Sequence, residues 1–221
     1  MMQKQDVAKQ YGDRLVVIDH PLVKHKLAVL RDKTTPSNVF REALREIAML
    51  EAYEATRALP TNEVEIETPI TTTVCETIKD QEPVIVPILR AGLAMQDAFM
   101  DMIPTAPIAH LGMNRNEETH EPVEYYANMP VYIAERPVLL VDPMLATGGS
   151  MVAGIKALRD RGVKDITCVV IVAAPEGVER VLEADPDVRI FTAALDEGLN
   201  EAAYIVPGLG DAGDRIFKTI Q

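Results

Sequence analysis

The chain is expected to fold as an α/β protein: a doubly wound, mainly parallel sheet of five strands with flanking helices. Two observations carry that expectation. Between residues 81 and 195, short apolar, β-branched runs alternate with segments whose apolar residues recur at helical spacing. Strands buried on both faces and joined by crossover helices read this way. The chain is also 221 residues long and 48% hydrophobic, enough to bury the core of one large α/β domain.

Taken in order, residues 1–80 read as an N-terminal arm with helices. Thr35 and Pro36 form a helix start, with Thr as N-cap and Pro in the first turn. Val39, Ala43, Ile47 and Leu50 mark its buried stripe, and Pro60 follows its end. A second helix is expected through Ile70, Val74 and Ile78, carrying Cys75. The strands are then Val84–Leu89, 107–112, Val138–Val141, Ile166–Ala173 and 188–192, with helices over Leu93–Met102, 149–161 and within 178–184. In the helix after Ser150, Val152, Ile155 and Leu158 give the period and Gly162 the C-terminal cap. Residues 113–135 show no helical pattern: a polar stretch passes into an aromatic one, which suits a β-hairpin flap. Residues 196–221 form a Gly-rich C-terminal segment, and the whole of 1–221 is read as one domain.

The net charge of −12 disfavours a general nucleic-acid binder, which needs a basic face. It also means that any polyanion site must gather its few cations locally, against the field of the whole protein. Cys75 and Cys168 lie in no ligand-spaced cluster and read as buried free thiols of a reducing cytosol. His20, His25, His110 and His120 are scattered and form no metal motif. No apolar run approaches the roughly 18 residues of a membrane helix. The first residues lack the hydrophobic region of a signal peptide, so a cytoplasmic protein with no membrane partner is expected.

The chemistry concentrates at Val138-Leu-Leu-Val-Asp142-Pro-Met-Leu-Ala-Thr147-Gly-Gly-Ser150. A buried strand ends in an acid, and a small-residue turn opens a helix. The N–H groups at such a junction, with the positive end of the helix dipole, form an anion site. Gly148 and Gly149 admit a phosphate closely, while Thr147 and Ser150 add hydroxyl donors. Asp142 cannot favour phosphate and suits a sugar diol or a metal-bound water. Together they suit a phosphorylated ribose. The lysine of G-x-x-x-x-G-K-[ST] and the spacing of G-x-G-x-x-G are missing, which disfavours a mononucleotide kinase or a dinucleotide enzyme. Arg90 and Arg115 follow apolar strands, and guanidinium forks bind phosphate oxygens in pairs.

The string Asp142-Pro-Met-Leu-Ala-Thr-Gly-Gly-Ser150 closely resembles the phosphoribosyl-diphosphate (PRPP) loop of the uracil phosphoribosyltransferase family. Pro87-Ile-Leu-Arg90-Ala-Gly-Leu, Gly112-Met-Asn-Arg115-Asn-Glu-Glu-Thr and Ala173-Ala-Pro-Glu-Gly177 resemble further segments of that family, in its order. So does the C-terminal Leu199-Asn-Glu and Tyr204-Ile-Val-Pro-Gly-Leu-Gly-Asp211-Ala-Gly-Asp214. The resemblance runs from about His20 to the C-terminus. It implies a type I phosphoribosyltransferase fold and a pyrimidine-salvage reaction in which uracil and PRPP give UMP and diphosphate. It assigns PRPP to Arg90, Arg115, Asp142, Pro143, Met144, Leu145, Ala146, Thr147, Gly148, Gly149, Ser150 and Asp211. Uracil falls to Ile205, Gly210, Asp211 and Ala212, and catalytic roles to Arg115 and Asp211. Mg²⁺ is implied as the cofactor, held through PRPP and through water to Asp211 with no direct protein ligand. A GTP effector and a homodimer or larger homo-oligomer are implied as well. Most other branches place two adjacent acids where this chain has Asp142-Pro143, and the proline narrows the resemblance to the uracil branch. The rival readings are a phosphoribosyltransferase-fold regulatory or nucleotide-sensing protein, an RNA-binding regulator, which the acidity disfavours, and a phosphosugar isomerase, which leaves the C-terminal segment without a purpose.

Overall fold

The computed structural model describes residues 10–78, 80, 82–115 and 122–219. The expectations for the first residues, for the tip of the flap and for His120 fall outside the described residues. So does the side chain of Arg115.

The elements in order are β1 (Leu15–Val17), α1 (Pro21–Arg31), α2 (Ser37–Ala55), β2 (Asn62–Glu67), β3 (Thr72–Thr77), β4 (Val84–Leu89), α3 (Leu93–Met102), β5 (His110–Arg115), β6 (Pro122–Asn128) and β7 (Val138–Val141). They continue with β8 (Met144–Leu145), α4 (Gly149–Arg159), β9 (Ile166–Ala173), α5 (Pro175–Ala184), β10 (Arg189–Leu195), β11 (Gly198–Leu199), β12 (Ile205–Val206) and α6 (Ala212–Phe217). The main sheet runs β1-β10-β9-β7-β4-β5-β6, with β8 also on β9. Every pairing in it is parallel except β5 with β6.

The five expected strands form the centre of this sheet, and β1, β6 and β8 extend it. Alternate residues of the central strands face opposite cores, as period-two geometry requires. From β9, Val169 and Ile171 join α1, α2, α3 and α6, whereas Cys168 and Val170 join α4 and α5. Helices therefore cover both faces. Phe40 and Phe99 are fully buried on the first face, where truncation of a phenylalanine costs about 3–5 kcal/mol.

Three expectations in the N-terminal region need correction. The helix through Ile70, Val74 and Ile78 is instead the antiparallel ribbon β2–β3, and Cys75 pairs with Val64 in it, half-buried where a buried thiol is expected, while Cys168 is buried. The β-branched Thr72, Thr73 and Val74 sit opposite Glu67, Ile66 and Glu65, and cross-strand pairing wins over a four-residue spacing that either structure satisfies. Thr35 does not cap α2. Pro36 occupies the N-cap, and the Thr35 hydroxyl donates back to Val29 O at 2.7 Å. The buried stripe of α2 is Phe40, Ala43, Leu44, Ile47, Ala48, Glu51, Ala52 and Ala55, which leaves Val39 exposed and Leu50 half-buried. The flap region does form the antiparallel pair β5–β6. Gly162 sits past α4 at φ +86° with its N–H on Arg159 O, as a C-terminal cap should.

Candidate active site

The five central strands follow the order β10-β9-β7-β4-β5, so the chain reverses its direction of growth between β4 and β7. The helix after β4 covers one face and the helix after β7 covers the other. A crevice opens beyond the strand ends at such a switch point, and ligands bind there. Arg90 leaves β4 at this crevice, across a cis Leu89–Arg90 peptide bond. Its guanidinium lies 5.5 Å from the Phe217 ring centroid. Asp142 leaves β7 beside it.

These two residues share one cavity of about 360 Å³ with Ala91, Met144 and Ala146 from the strand ends. The other wall is C-terminal: Ala203, Tyr204, Ile205, Gly210, Asp211, Ala212 and Gly213. The groups expected to hold PRPP and those expected to hold uracil thus meet across a single space, although more than sixty residues separate Asp142 from Ile205 in the chain. Among the described residues, the Asp142 carboxyl accepts one hydrogen bond, a long one from Met144 N–H at 3.4 Å. Desolvation among the apolar strand ends dominates and pushes its pKa up to about 7.

A smaller hollow of about 110 Å³ adjoins this cavity, lined by Asp142 and residues 144–151. Gly148 is the N-cap of α4 at φ +79°, and a Cβ there would stand 3.0 Å from Gly177 O. Glycine is required both by the left-handed conformation and by the approach of α5. The first helical bond runs from Val152 N–H to Gly148 O at 2.9 Å, so the N–H groups of 149–151 are left at the mouth of the hollow. Thr147 and Ser150 are exposed beside them. Pro143 lines neither space. Its carbonyl accepts from Ile171 and Val172 N–H, both at 3.1 Å, and Leu145 O accepts from Ala174 N–H at 2.8 Å. Those bonds moor the loop to β9. Arg115 is the last residue of β5, next to β4 in the sheet.

The C-terminal wall rests on a short pair, β11 with β12, followed by a cis Val206–Pro207 peptide bond. Ile205 and Ala212 are buried at the edge of the core. Asp211 is the N-cap of α6, its Oδ1 accepting from Asp214 N–H at 2.9 Å. The wall is held by side chains that the sequence reading passed over. Arg31 and Asp196 bracket Gly208, Arg215 donates to Leu209 O, and Glu176 Oε1 accepts from Leu199 N–H. Arg180 of α5 donates to Thr147 O at 3.3 Å, behind the smaller hollow. Each of these bonds spans distant segments or an ordinary turn, and no local motif marks it.

A family model for uracil phosphoribosyltransferase matches residues 17–219. The chain belongs to this family. It is 54% identical over 206 residues to a uracil phosphoribosyltransferase of Symbiobacterium thermophilum, covering 93% of this chain and 99% of the relative. It is 55% identical over 203 residues to the Streptococcus mutans uracil phosphoribosyltransferase, covering 92% and 97%. A solved structure from Aquifex aeolicus superposes with a TM-score of 0.87 at 37% identity, over 93% of this chain and 98% of that one. Adenine phosphoribosyltransferase from Trypanosoma brucei shares the fold at a TM-score of 0.58 and 13% identity, over 87% and 88%. The family chain therefore has the type I phosphoribosyltransferase architecture.

For a divalent cation, the donor set is informative. Among the described residues no three His, Cys, Asp or Glu side chains gather closely enough to ligate a metal. Two carboxylates, Asp142 and Asp211, reach the cavity from different segments together with Arg90. That set fits a cation arriving with its own oxygen ligands on a diphosphate, touched by the protein through water. Among the described residues no helix is long and apolar enough to cross a membrane.

Proposed function

We propose that this protein transfers the 5-phosphoribosyl group from PRPP to uracil, giving UMP and diphosphate. The observation that carries the reading is the shared cavity, with a phosphate-type helix N-terminus on one side and a glycine-rich base-sized wall on the other.

The residues divide the work. The N–H groups of 149–151 and the Thr147 and Ser150 hydroxyls hold the 5′-phosphate. Asp142 accepts the ribose hydroxyls. Main-chain groups around Ile205, Gly210 and Ala212 complement the two carbonyls and the N3–H of uracil, and so orient N1 toward the anomeric carbon. The C–O bond to diphosphate breaks as the N1–C bond forms, so charge collects on the departing diphosphate. Arg90 and Arg115 stabilise it, each charge-assisted contact contributing roughly 1.5–3 kcal/mol. Asp211, between base and sugar, receives the N1 proton through water or balances positive charge on the ribose. Asp142 and Asp211 would hold a Mg²⁺ ion through water, and the ion would supply further neutralisation of the leaving diphosphate. Positioning and electrostatics suffice for this chemistry, with no protein nucleophile.

The same reading extends to the surroundings. The enzyme works in the cytoplasm as a homodimer or larger assembly, consistent with Ile70 and Val74 standing exposed on the β2–β3 ribbon. GTP as an effector rests on family resemblance. Diphosphate release from PRPP, compared across uracil, cytosine, hypoxanthine and orotate with and without GTP, tests the proposal. Release with uracil alone is expected, and release with another base in its place would refute it.

A further inference from the structure

Both polar groups of the Gly208 main chain are held by one ion pair. Arg31, the last residue of α1, makes a forked contact with Asp196, Nη1 to Oδ2 at 2.8 Å and Nη2 to Oδ1 at 2.6 Å. The same Nη1 donates to the Gly208 carbonyl at 2.8 Å. The Gly208 N–H donates in turn to Asp196 Oδ2 at 2.9 Å. Asp196 is 1% exposed, and its own N–H bonds Ala173 O at the end of β9, at 2.8 Å. The position of the central sheet is therefore passed through a buried carboxylate to one residue of the C-terminal turn.

That residue controls its neighbours. Gly208 has φ +59°, and a Cβ there would lie 2.1 Å from Ile205 O, so the turn is folded tightly back on Ile205. Two residues on stands Gly210. A second guanidinium seconds the arrangement: Arg215 donates to Leu209 O at 2.7 Å, to Asp32 O at 2.6 Å and to Leu30 O, with its face 4.2 Å from the Phe40 centroid. The end of α1 and the 208–209 backbone thus form one clamped unit. Neither Arg31 nor Asp196 lines the substrate cavity.

We propose that Arg31 and Asp196 are positioning residues for base recognition, setting the main chain of 205–210 so that its donors and acceptors meet the edge of uracil. The inference rests on the reading of this wall as the uracil site. Backbone recognition has no side chain to re-aim, so its precision must come from whatever fixes the backbone. A planar guanidinium fork on a buried carboxylate provides direction as well as attraction. Lysine at 31 keeps the charge but cannot bridge the carboxylate and the Gly208 carbonyl in one plane. Asparagine at 196 replaces an acceptor with a donor facing other donors.

The test is steady-state kinetics on R31K, R31M and D196N beside the parent enzyme, with PRPP affinity measured separately by calorimetry. The expected result is a uracil KM raised at least about ten-fold, the scale of a sub-ångström misplacement. PRPP affinity and PRPP KM should stay within two-fold of the parent. R31K is expected to be milder than R31M, and it carries the test where R31M does not fold. A general loss of structure would instead move kcat and both KM values together. Folded R31K and D196N with parental uracil KM, or with uracil and PRPP affinities weakened in step, would overturn the proposal. A parent enzyme that releases no diphosphate with uracil would refute the uracil-site reading itself, a different outcome.

Discussion

Arg90 and Asp142 close two neighbouring parallel strands, β4 and β7, and line the same cavity. Their helices depart to opposite faces of the sheet, which is why the space between them is open. A cation and an acid set side by side at such a point suit a ligand with both anionic and hydroxyl groups. The acid is held in a state that pH can change.

Asp142 is expected to make PRPP binding pH-dependent. Desolvation raises its pKa to about 7 in the folded, ligand-free protein, against about 3.9 in an unfolded chain. With the folded value raised, its contribution to stability is complete below the unfolded value and is lost as pH rises toward 7. Binding runs the other way, because the ionised form accepts ribose hydroxyls. PRPP affinity should therefore strengthen between pH 6 and pH 8, and Asp142→Asn should remove that part of the dependence. Calorimetric titrations of both proteins across this range decide the matter. An identical pH profile in the two would exclude Asp142 as the titrating group.

The helix N-terminus at Gly149 gives a second expectation. Gly149→Val places a branched side chain at the mouth of the phosphate hollow while α4 keeps its first bond at Val152. PRPP affinity should fall at least ten-fold, about 1.4 kcal/mol, with the circular dichroism spectrum unchanged. Parental PRPP affinity in the folded variant would move the phosphate elsewhere.

How much of this was readable beforehand depends on the range of the interactions. The strands Val84–Leu89, Val138–Val141 and Ile166–Ala173 were legible to the residue, because continuous β-branched runs buried on both faces have few other uses. The strand–turn–helix junction at 142–150 was legible because its geometry is local, a strand end and a helix start within nine residues. The β2–β3 ribbon was not, since Ile70, Val74 and Ile78 fit a helical and a period-two pattern alike, and only the pairing of β3 with β2 decides. β1 was missed for a related reason. Three residues on a sheet edge make no periodic signal, and β1 exists by pairing with β10. Arg31 and Asp196 were invisible because their bond joins positions 165 residues apart.

Glu51 offers a test of the core. It is fully buried in α2, and among the described residues neither carboxyl oxygen has a hydrogen-bond partner of normal geometry. Desolvation raises its pKa well above the ordinary value, with the Ala193 backbone favouring the charged form more weakly. The folded value lies above the unfolded one, so stability is complete below about pH 4.3 and declines as pH rises toward the folded value. The slope approaches about 1.4 kcal/mol per pH unit where only the unfolded form has lost its proton. Glu51→Gln keeps the shape without the titration and should flatten this part of the curve. Urea midpoints at pH 5, 7 and 9 measure it. A slope that survives unchanged in Glu51→Gln would assign the pH dependence to other groups.

Asp211 carries the last prediction, and the structure sharpens it. One oxygen of its carboxylate is committed: Oδ1 caps α6 through the Asp214 N–H. An N-cap is a structural role, and if it were the whole role, any residue that caps as well would serve. Asparagine does cap as well, and it leaves the shape of the turn in place. The two roles therefore separate in one substitution. If the negative charge acts on the reaction, through a water near the metal or near the N1 proton, Asp211→Asn will fold and bind both substrates. Its turnover will drop at least about ten-fold, equivalent to ~1.4 kcal/mol in the barrier. Asp211→Ala, which removes the cap too, should add a loss of stability of about 1 kcal/mol that Asp211→Asn does not show. Single-turnover rates and thermal melts of the two variants resolve the pair of effects. Parental turnover in Asp211→Asn, with instability confined to Asp211→Ala, would reduce Asp211 to the capping residue of α6.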